Sequence, residues 1–381
     1  MQALPLAALF ICPVHGSLLA FSPAVWHDRR RLKPEMETME KKNITIYDIA
    51  REAQVSPATV SRILTGTTSV REEKRKRVME VIEKYDFHPN AYARALTENR
   101  SRTIAMIVAH SDNSYYSSVF AACESEAHLR GYVTMLMDTS SRREKEVAVL
   151  NRIRELRPEA VILCGGRIDL EEQDPEFTAL LRQTLGYTRI VVGARSPMPE
   201  IPGIFVDHRA SVDIGVRYLA GLGHRDIGFV YAGGEYYGTV ERLEQFRRVM
   251  GELGLPVRED LLIGVSDYTV QAGLEGVEAL LKLERKPTAL LGMNDLVSAG
   301  ILQGLLAAGL HVPEDISLLG FDDTFVTGIT TPKLTSVGYD YQAFGAALVQ
   351  AALEPGNQLP PERRIPVFLT ERDSCAATKN R

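Results

Sequence analysis

The chain reads as an α/β protein, with a small N-terminal helix-turn-helix headpiece followed by two doubly wound parallel-sheet lobes. Three observations predict this. Charge is divided unevenly: residues 41–102 hold 13 Lys and Arg against 8 Asp and Glu, whereas residues 103–381 hold 27 against 37. From residue 103 onward, short continuous apolar runs alternate with amphipathic helical stretches, the pattern of parallel strands covered on both faces by helices. That alternation occurs as two series of similar length, which implies two lobes and a ligand cleft at the carboxyl ends of their strands.

Size and composition agree. A chain of 381 residues that is 45% apolar has material for several packed cores. The four cysteines, Cys12, Cys123, Cys164 and Cys375, have no zinc spacing and are too few for a disulfide framework, so they fit a reducing, cytoplasmic interior. No stretch reaches the roughly 18 uninterrupted apolar residues of a membrane span. A small basic unit joined to a larger acidic one indicates that one end meets a polyanion.

Residues 1–40 contribute nothing to this plan. LPLAALFICPVHGSLLAF is apolar but broken by Pro13, His15 and Gly16, and the basic DRRR run follows it where a signal peptide would have a preceding basic region. The segment reads as a disordered extension or a misplaced start, with Met36 or Met39 as the natural initiator.

The basic unit spans residues 43–88. Thr45 is placed to cap IYDIAREA, with Asp48 completing something close to a capping box. Ile46, Ile49, Ala50 and Ala53 share a face. Gln54 and Val55 turn the chain, Ser56 caps the next helix, and Pro57 stands at its first position, where a missing amide costs nothing. Val60, Ile63 and Leu64 give that helix its apolar side. A third helix over 72–84 turns Val78, Val81 and Ile82 inward and shows Arg71, Lys74, Arg75, Lys76 and Arg77 outward. The spacing predicts a helix-turn-helix, and a generic three-helix packing unit is the other reading.

The second helix, SPATVSRIL, decides what such a unit would do. Pro57, Ala58, Thr59, Ser61 and Arg62 lie around its exposed or N-terminal part. Small residues permit close approach to base edges, hydroxyls bond phosphate or bases, and an arginine pairs bidentately with guanine. After it, HPNAYARALTENR at 88–100, within a hinge over 89–102, holds about two turns of helix, which are marginal alone. They are ordered only if something packs on them. DNA is the available candidate, with Leu96 as an apolar wedge for the minor groove, and a plain connector is the alternative.

In the acidic unit, residues 103–371, strands are expected at TIAMIVA, YVTMLMD, AVILCG and RIVVG. A second series is expected to start at IFVD (204–207) and continue through DIGFVY and TALLGM to ISLLGF. Helices lie between them, among them SVFAACESEAHLRG at 118–131. The strand ends nominate Asp112, Asn113, Tyr115, Tyr116, Asp138, Arg195, Asn294, Asp295, Asp322 and Asp323. Carboxylates, amides and an arginine pair with vicinal hydroxyls, and tyrosines lie against an apolar ring face. Each residue taken singly also has a bland role as a cap, a turn or core. As a set they point to a small polar ligand.

Nothing points to catalysis, a metal or a cofactor. GLGHRD joins a helix to a strand, whereas a dinucleotide loop joins a strand to a helix. No HExxH spacing or GxSxG elbow is present.

In order along the chain, ITIYDIAREAQVSPATVSRIL, FHPNAYARAL, GLGHRDIGFV, ERLEQF, MNDLVSAGILQGLLAAGLHVPEDISLLGFDD and TPKLTSV resemble the LacI/GalR family of bacterial transcription regulators, from residue 43 to 371. The resemblance implies an allosteric repressor that binds operator DNA as a homodimer and senses a small effector, usually a sugar, in lobes resembling periplasmic sugar-binding proteins. It assigns Pro57, Ala58 and Arg62 to base reading and Thr45, Tyr47, Ser56, Thr59 and Ser61 to phosphates. It also places Asn90 in the DNA-contacting set and Leu96 against its dimer mate in the minor groove. Asn294 and Asp322 match frequent effector contacts, Phe246 matches an aromatic that stacks on the ligand, and Arg242 lies close by. A periplasmic-type sugar-binding protein without DNA function is the rival, and it has no use for residues 43–96.

Three departures qualify the match. Arg71 and Lys74 stand where many members have a serine and a threonine, which weakens a normal cap and adds charge. HSDNSYYSS replaces an asparagine–proline–phenylalanine–phenylalanine run, leaving Tyr115 and Tyr116 in the aromatic places. Asp213 falls where the lactose repressor has an effector-contacting arginine, so Arg195 is the substitute candidate. The resemblance also implies three crossings between lobes, near 193–203, 334–336 and 354–364, with PVFLT returning as a last strand in the second lobe.

Overall fold

The computed structural model describes residues 44–65, 70–87, 101–172, 174–354 and 362–378. The expectations for residues 1–40 and for the hinge helix, Asn90 and Leu96 included, lie outside the described residues. The chain divides into two compact units between Pro89 and Asn90.

The first unit is three helices on one small core. Helix α1 (Ile46–Glu52) begins with a true capping box: Thr45 Oγ1 accepts the Asp48 amide at 3.4 Å and Asp48 Oδ2 accepts the Thr45 amide at 3.1 Å. It ends in a Schellman-type turn. The Val55 amide donates to the Ala50 carbonyl at 3.0 Å, and Gln54 carries the left-handed φ of 53° that such a turn needs. Helix α2 (Pro57–Thr65) has proline at its first position, and Ser56 Oγ accepts the Thr59 amide at 3.2 Å. Helix α3 (Glu72–Lys84) starts at the expected residue although Arg71 offers no side-chain cap. Glu72 and Glu73 in its first turn complement the helix dipole instead. Ile49, Ala50, Ala53, Val60, Val78 and Val81 close the core.

The second unit is two lobes, each a six-stranded sheet between helices. The first lobe runs β1 (Thr103–Val108), α4 (Ser114–Leu129), β2 (Val133–Asp138), α5 (Arg143–Leu156), β3 (Ala160–Cys164), a 3-10 turn (Gly166–Asp169), α6 (Pro175–Leu185), β4 (Arg189–Val192) and β5 (Gly203–Val206). The second runs α7 (His208–Gly221), β6 (Ile227–Ala232), α8 (Tyr237–Glu252), β7 (Leu262–Val265), α9 (Val270–Leu281), β8 (Ala289–Gly292), α10 (Asp295–Ala307), β9 (Ser317–Asp322), α11 (Val326–Ile329) and β10 (Thr335–Tyr339). Helix α12 (Tyr341–Leu353) and strand β11 (Glu362–Ile365) then return to the first lobe, and β12 (Val367–Thr370) to the second.

The sheets have the orders β11-β5-β4-β3-β1-β2 and β12-β10-β9-β8-β6-β7, parallel throughout except for antiparallel β12. Each sheet has an apolar core on both faces. In the first lobe α4 and α12 cover one face and α5 and α6 the other; in the second, α7 and α8 oppose α9 and α10. Two-sided burial explains why the strands read as unbroken apolar runs.

Several expectations are corrected. IFVD does not open the second lobe: β5 pairs with β4 through Val192 and Gly203 and with β11 along its whole length. The crossings therefore fall at Asp207, Asp340 and Pro366, not near 193–203, 334–336 and 354–364. Helix α4 starts at Ser114 instead of 118, because Asn113 Oδ1 accepts the Tyr115 amide at 2.9 Å and caps the tyrosine pair into the first turn. LTSV is a strand, β10, so ISLLGF does not close the second sheet's main series.

Candidate functional site

Two candidate surfaces emerge, one on each unit. In the headpiece, Thr45, Tyr47, Ser56, Pro57, Ala58 and Arg62 are exposed, while Thr59 and Ser61 are half-buried. Val60 on the same helix is fully buried, so the apolar side of α2 faces the core and leaves Pro57, Ala58 and Arg62 outward. Thr45 is committed to its capping box, and Ser56 and Thr59 hydroxyls lie 2.9 Å apart, each restraining the other. Arg71, Lys74, Arg75 and Lys76 on α3 are exposed as well.

In the second unit, the carboxyl ends of both sets of strands converge on a cavity of about 350 Å³, within the range of small-molecule sites. Six of the thirteen sequence candidates line it: Asn113, Tyr115, Tyr116, Arg242, Asn294 and Asp322. Asn294 is held in place from both ends of its amide, capping α10 through the Val297 amide at 2.8 Å and donating to the Tyr268 carbonyl at 3.1 Å. It caps the helix, a part that sequence had left to Asp295. Asp295 is instead fully buried and ties Thr324 and Ser336 together at 2.6–2.9 Å.

The aspartates at 322 and 323 part company. Asp323 takes Thr327, Thr370 and Arg372 at 2.7–3.1 Å and belongs to the lobe's internal bracing. Asp322, at a φ of 94°, turns into the cavity. Burial raises its pKa, and Arg242 partly opposes the shift. The Arg242 guanidinium sits 5.3 Å over the Phe321 ring and reaches the Met293 carbonyl at 3.3 Å, while its Nε has no partner.

Besides Asp295 and Asp323, five further candidates do not reach the cavity. Asp112 is exposed on its loop. Asp138 fixes that loop from behind, accepting the Ser111 amide at 2.6 Å and the Ser140 hydroxyl at 2.8 Å. Arg195 stacks 5.8 and 5.6 Å from the Phe205 and Tyr237 rings, behind the cavity wall, and pairs with Glu241 at 2.6 Å. Asp213 is spent on Arg217, its i+4 neighbour on α7, at 3.0 Å. Phe246 lies one helical turn beyond Arg242 and packs at 5.8 Å on Phe229 inside the second-lobe core, so it cannot stack on a ligand.

Sequence reasoning missed Asp169, Phe205, His208, Tyr236, Tyr237 and Tyr268, all of which line the cavity. They follow β3, β6 and β7 or flank the first crossing. The strand-end rule would have found most of them, had those strands been followed through. Burial, with Arg242 and Arg195 nearby, holds the His208 pKa well below the ordinary imidazole value, so this ring is neutral. Its Nδ1 has no partner. Burial, with Glu146 behind it, pushes the Asp169 carboxyl up to about 7. Among the described residues no His, Cys, Asp and Glu group could hold a metal ion. No helix among them is long and apolar enough to cross a membrane.

Residues 45–90 match the family of bacterial regulatory proteins known as lacI, and residues 216–375 match a periplasmic binding protein-like domain. Catabolite control protein A of Priestia megaterium is 31% identical over 315 residues, spanning 81% of this chain and 91% of that protein. The chain belongs to the LacI family. It is a transcription regulator with a DNA-binding headpiece and an effector-binding body, which removes the reading as a binding protein without DNA function. The HTH-type transcriptional repressor PurR of Aliivibrio salmonicida is 29% identical over 322 residues, 84% of this chain and 95% of that one. Among solved structures, the lac repressor dimer bound to operator and the anti-inducer ONPF superposes with a TM-score of 0.77 at 23% identity, covering 88% of this chain and 99% of that one. A CelR–cellobiose complex gives 0.62 at 23%, covering 87% and 99%. These two likenesses place the LacI-family chain's fold beside theirs.

Proposed function

We propose that this LacI-family chain is a cytoplasmic, dimeric repressor that reads its operator through Pro57, Ala58 and Arg62 and releases it when a sugar occupies the cleft. The observation that carries the reading is the joining, in one chain, of an outward-facing α2 to a tyrosine-lined polar cavity. Small apolar and arginine side chains on a helix N-terminal half suit the major groove. Rings and hydrogen-bonding groups suit a polyhydroxylated ligand. The operator bound by the lac repressor and the cellobiose bound by CelR support the two halves of this reading.

The cleft binds its ligand without altering it. The acids at Asp169 and Asp322 lie on different lobes.

Effector and operator must influence one another equally, because coupling between two sites is reciprocal. Titration of operator DNA with and without the bound sugar tests the reading. Weaker operator binding with sugar present is expected. Tighter binding would make the sugar a corepressor, and no change at all would remove the allosteric reading. Deleting residues 43–96 should abolish DNA binding and leave sugar binding intact.

A further inference from the structure

Two cavity-lining carboxyls stand out, because nothing among the described residues hydrogen-bonds them. Asp169 ends the 3-10 turn after β3 in the first lobe; Asp322 ends β9 in the second. Of the other acids around them, Glu235 is exposed to solvent and Asp267, also exposed, accepts the Tyr268 amide at 2.7 Å. Asp295 and Asp323 are braced by hydroxyls and an arginine, Asp138 by two serines, and Glu146 by Arg167 at 3.2 Å. A half-buried acid left without a partner is costly unless water or a ligand supplies the donor. Beside this pair, Arg242 is 8% exposed with its Nε unsatisfied, and the neutral His208 ring leaves Nδ1 unsatisfied.

The lining is also acidic overall. Asp169, Glu235, Asp267 and Asp322 face the cavity against Arg242 as the cation. An anionic ligand would meet like charge, whereas hydroxyl or ammonium donors would meet waiting acceptors. Tyr115 and Tyr116 on one side and Tyr236, Tyr237 and Tyr268 on the other supply ring faces for a sugar ring and, for an amine, cation–π contact.

We propose that Asp169 is a ligand-binding residue which works with Asp322 as a carboxyl pair spanning the two lobes, and that the cleft therefore selects uncharged or amino-substituted sugar rings and rejects phosphorylated or carboxylated ones. Donors at both ends of one ring draw the lobes together around it. The inference rests on the reading of the cleft as a sugar-effector site.

The test is a thermal-shift and calorimetric panel on the full chain, in which neutral mono- and disaccharides, hexosamines, hexose phosphates and aldonates are compared at equal concentration. Neutral or amino sugars should bind and the anionic ones should not. For the tightest binder, D169N should weaken affinity about ten- to hundredfold, the loss expected for a hydrogen bond to a charged group, and D322N should do the same. A melting temperature of ligand-free D169N that is no lower than wild type would separate a ligand-binding role from a structural one. Preferential binding of the phosphates or aldonates, or unchanged affinity in D169N, would overturn the carboxyl pair and leave the sugar-effector reading standing. No binding by any sugar of any charge would overturn that reading itself.

Discussion

His224 shows how a single side chain in a family-like motif can be structural. The sequence GLGHRD resembles a ligand loop only superficially, and the ring lies buried at the foot of the second lobe. Its Nδ1 meets Thr288 Oγ1 at 2.9 Å, and its Nε2 meets Ser317 Oγ at 3.1 Å and the Ala376 carbonyl at 3.0 Å. It therefore joins the starts of two strands to the C-terminal segment. Burial lowers its pKa below the ordinary imidazole value, so the unfolded chain binds a proton that the folded one refuses. Stability from this group is complete above the unfolded imidazole pKa of about 6.5 and falls as pH drops below it. Urea denaturation across that window should show the loss, and H224Q should flatten it while costing about 1–3 kcal/mol at neutral pH through unsatisfied partners. On the DNA side, Arg62→Ala is expected to cost about 1–3 kcal/mol against the best operator and to relax discrimination at one base pair. Lys74→Ala on α3 should weaken all duplexes alike and reduce the salt slope by about one. Filter binding on specific and scrambled duplexes at several salt concentrations separates the two.

Secondary-structure elements differ in how much of their definition is local, and that decided what could be read in advance. Helices α1, α2 and α3 were legible because their caps and apolar faces lie within each segment: Thr45 with Asp48, Ser56 with Pro57, and Val78 with Val81. The Schellman turn at Gln54 is equally local, and it carries a prediction. A glycine there would adopt the left-handed conformation without the steric cost that glutamine bears, so Q54G should stabilise the headpiece by about 0.5–1 kcal/mol in thermal melts of the full chain. Sheet membership is not local. The apolar run in β5 fits either lobe, and only pairing with β4 and β11 assigns it to the first. Strand β11, ERRI, is largely charged and sits at a sheet edge, so no apolar run marks it. In the cleft, strand-end polarity identified Tyr115, Tyr116, Asn294 and Asp322 without knowledge of the fold. Phe246 was misplaced because family position gave its helix but not how deep that turn lies. Where α9 and α10 cross, Gly273 and Gly300 bring the two backbones together, and a Cβ on Gly273 would stand 2.8 Å from the Gly300 Cα. Overpacking of this kind predicts a loss of about 1–3 kcal/mol for Gly273→Ala, measured by chemical denaturation.

At the scale of the whole effector-binding unit, the lobes touch across the cleft at two places beside the proposed ligand contacts. Leu170 and Tyr236 form an antiparallel bridge, and the Glu171 amide donates to the Glu235 carbonyl at 3.0 Å. Arg195, from the first lobe, pairs with the largely buried Glu241 of α8 at 2.6 Å, and its amide donates to the Tyr237 hydroxyl at 3.0 Å. These contacts exist only when the lobes are close, so they belong to the closed side of any opening equilibrium. A ligand that bridges the lobes gains from the same closure, and removing one latch must then tax ligand affinity even though the latch never meets the ligand. Glu241 keeps Arg209 at 3.2 Å when Arg195 is lost, so R195A does not strand a buried charge. The expected outcome is effector affinity about five- to tenfold weaker in R195A, corresponding to about 1 kcal/mol of the coupling energy typical of such systems. Operator affinity without effector should move in the direction opposite to the effector's own effect, since the latch biases the same equilibrium from the other end. Calorimetry on the effector and anisotropy on a labelled operator, each with the other ligand absent and saturating, complete the thermodynamic cycle. Equal coupling in wild type and R195A would show that the Arg195–Glu241 pair is bystander packing and that closure is governed elsewhere.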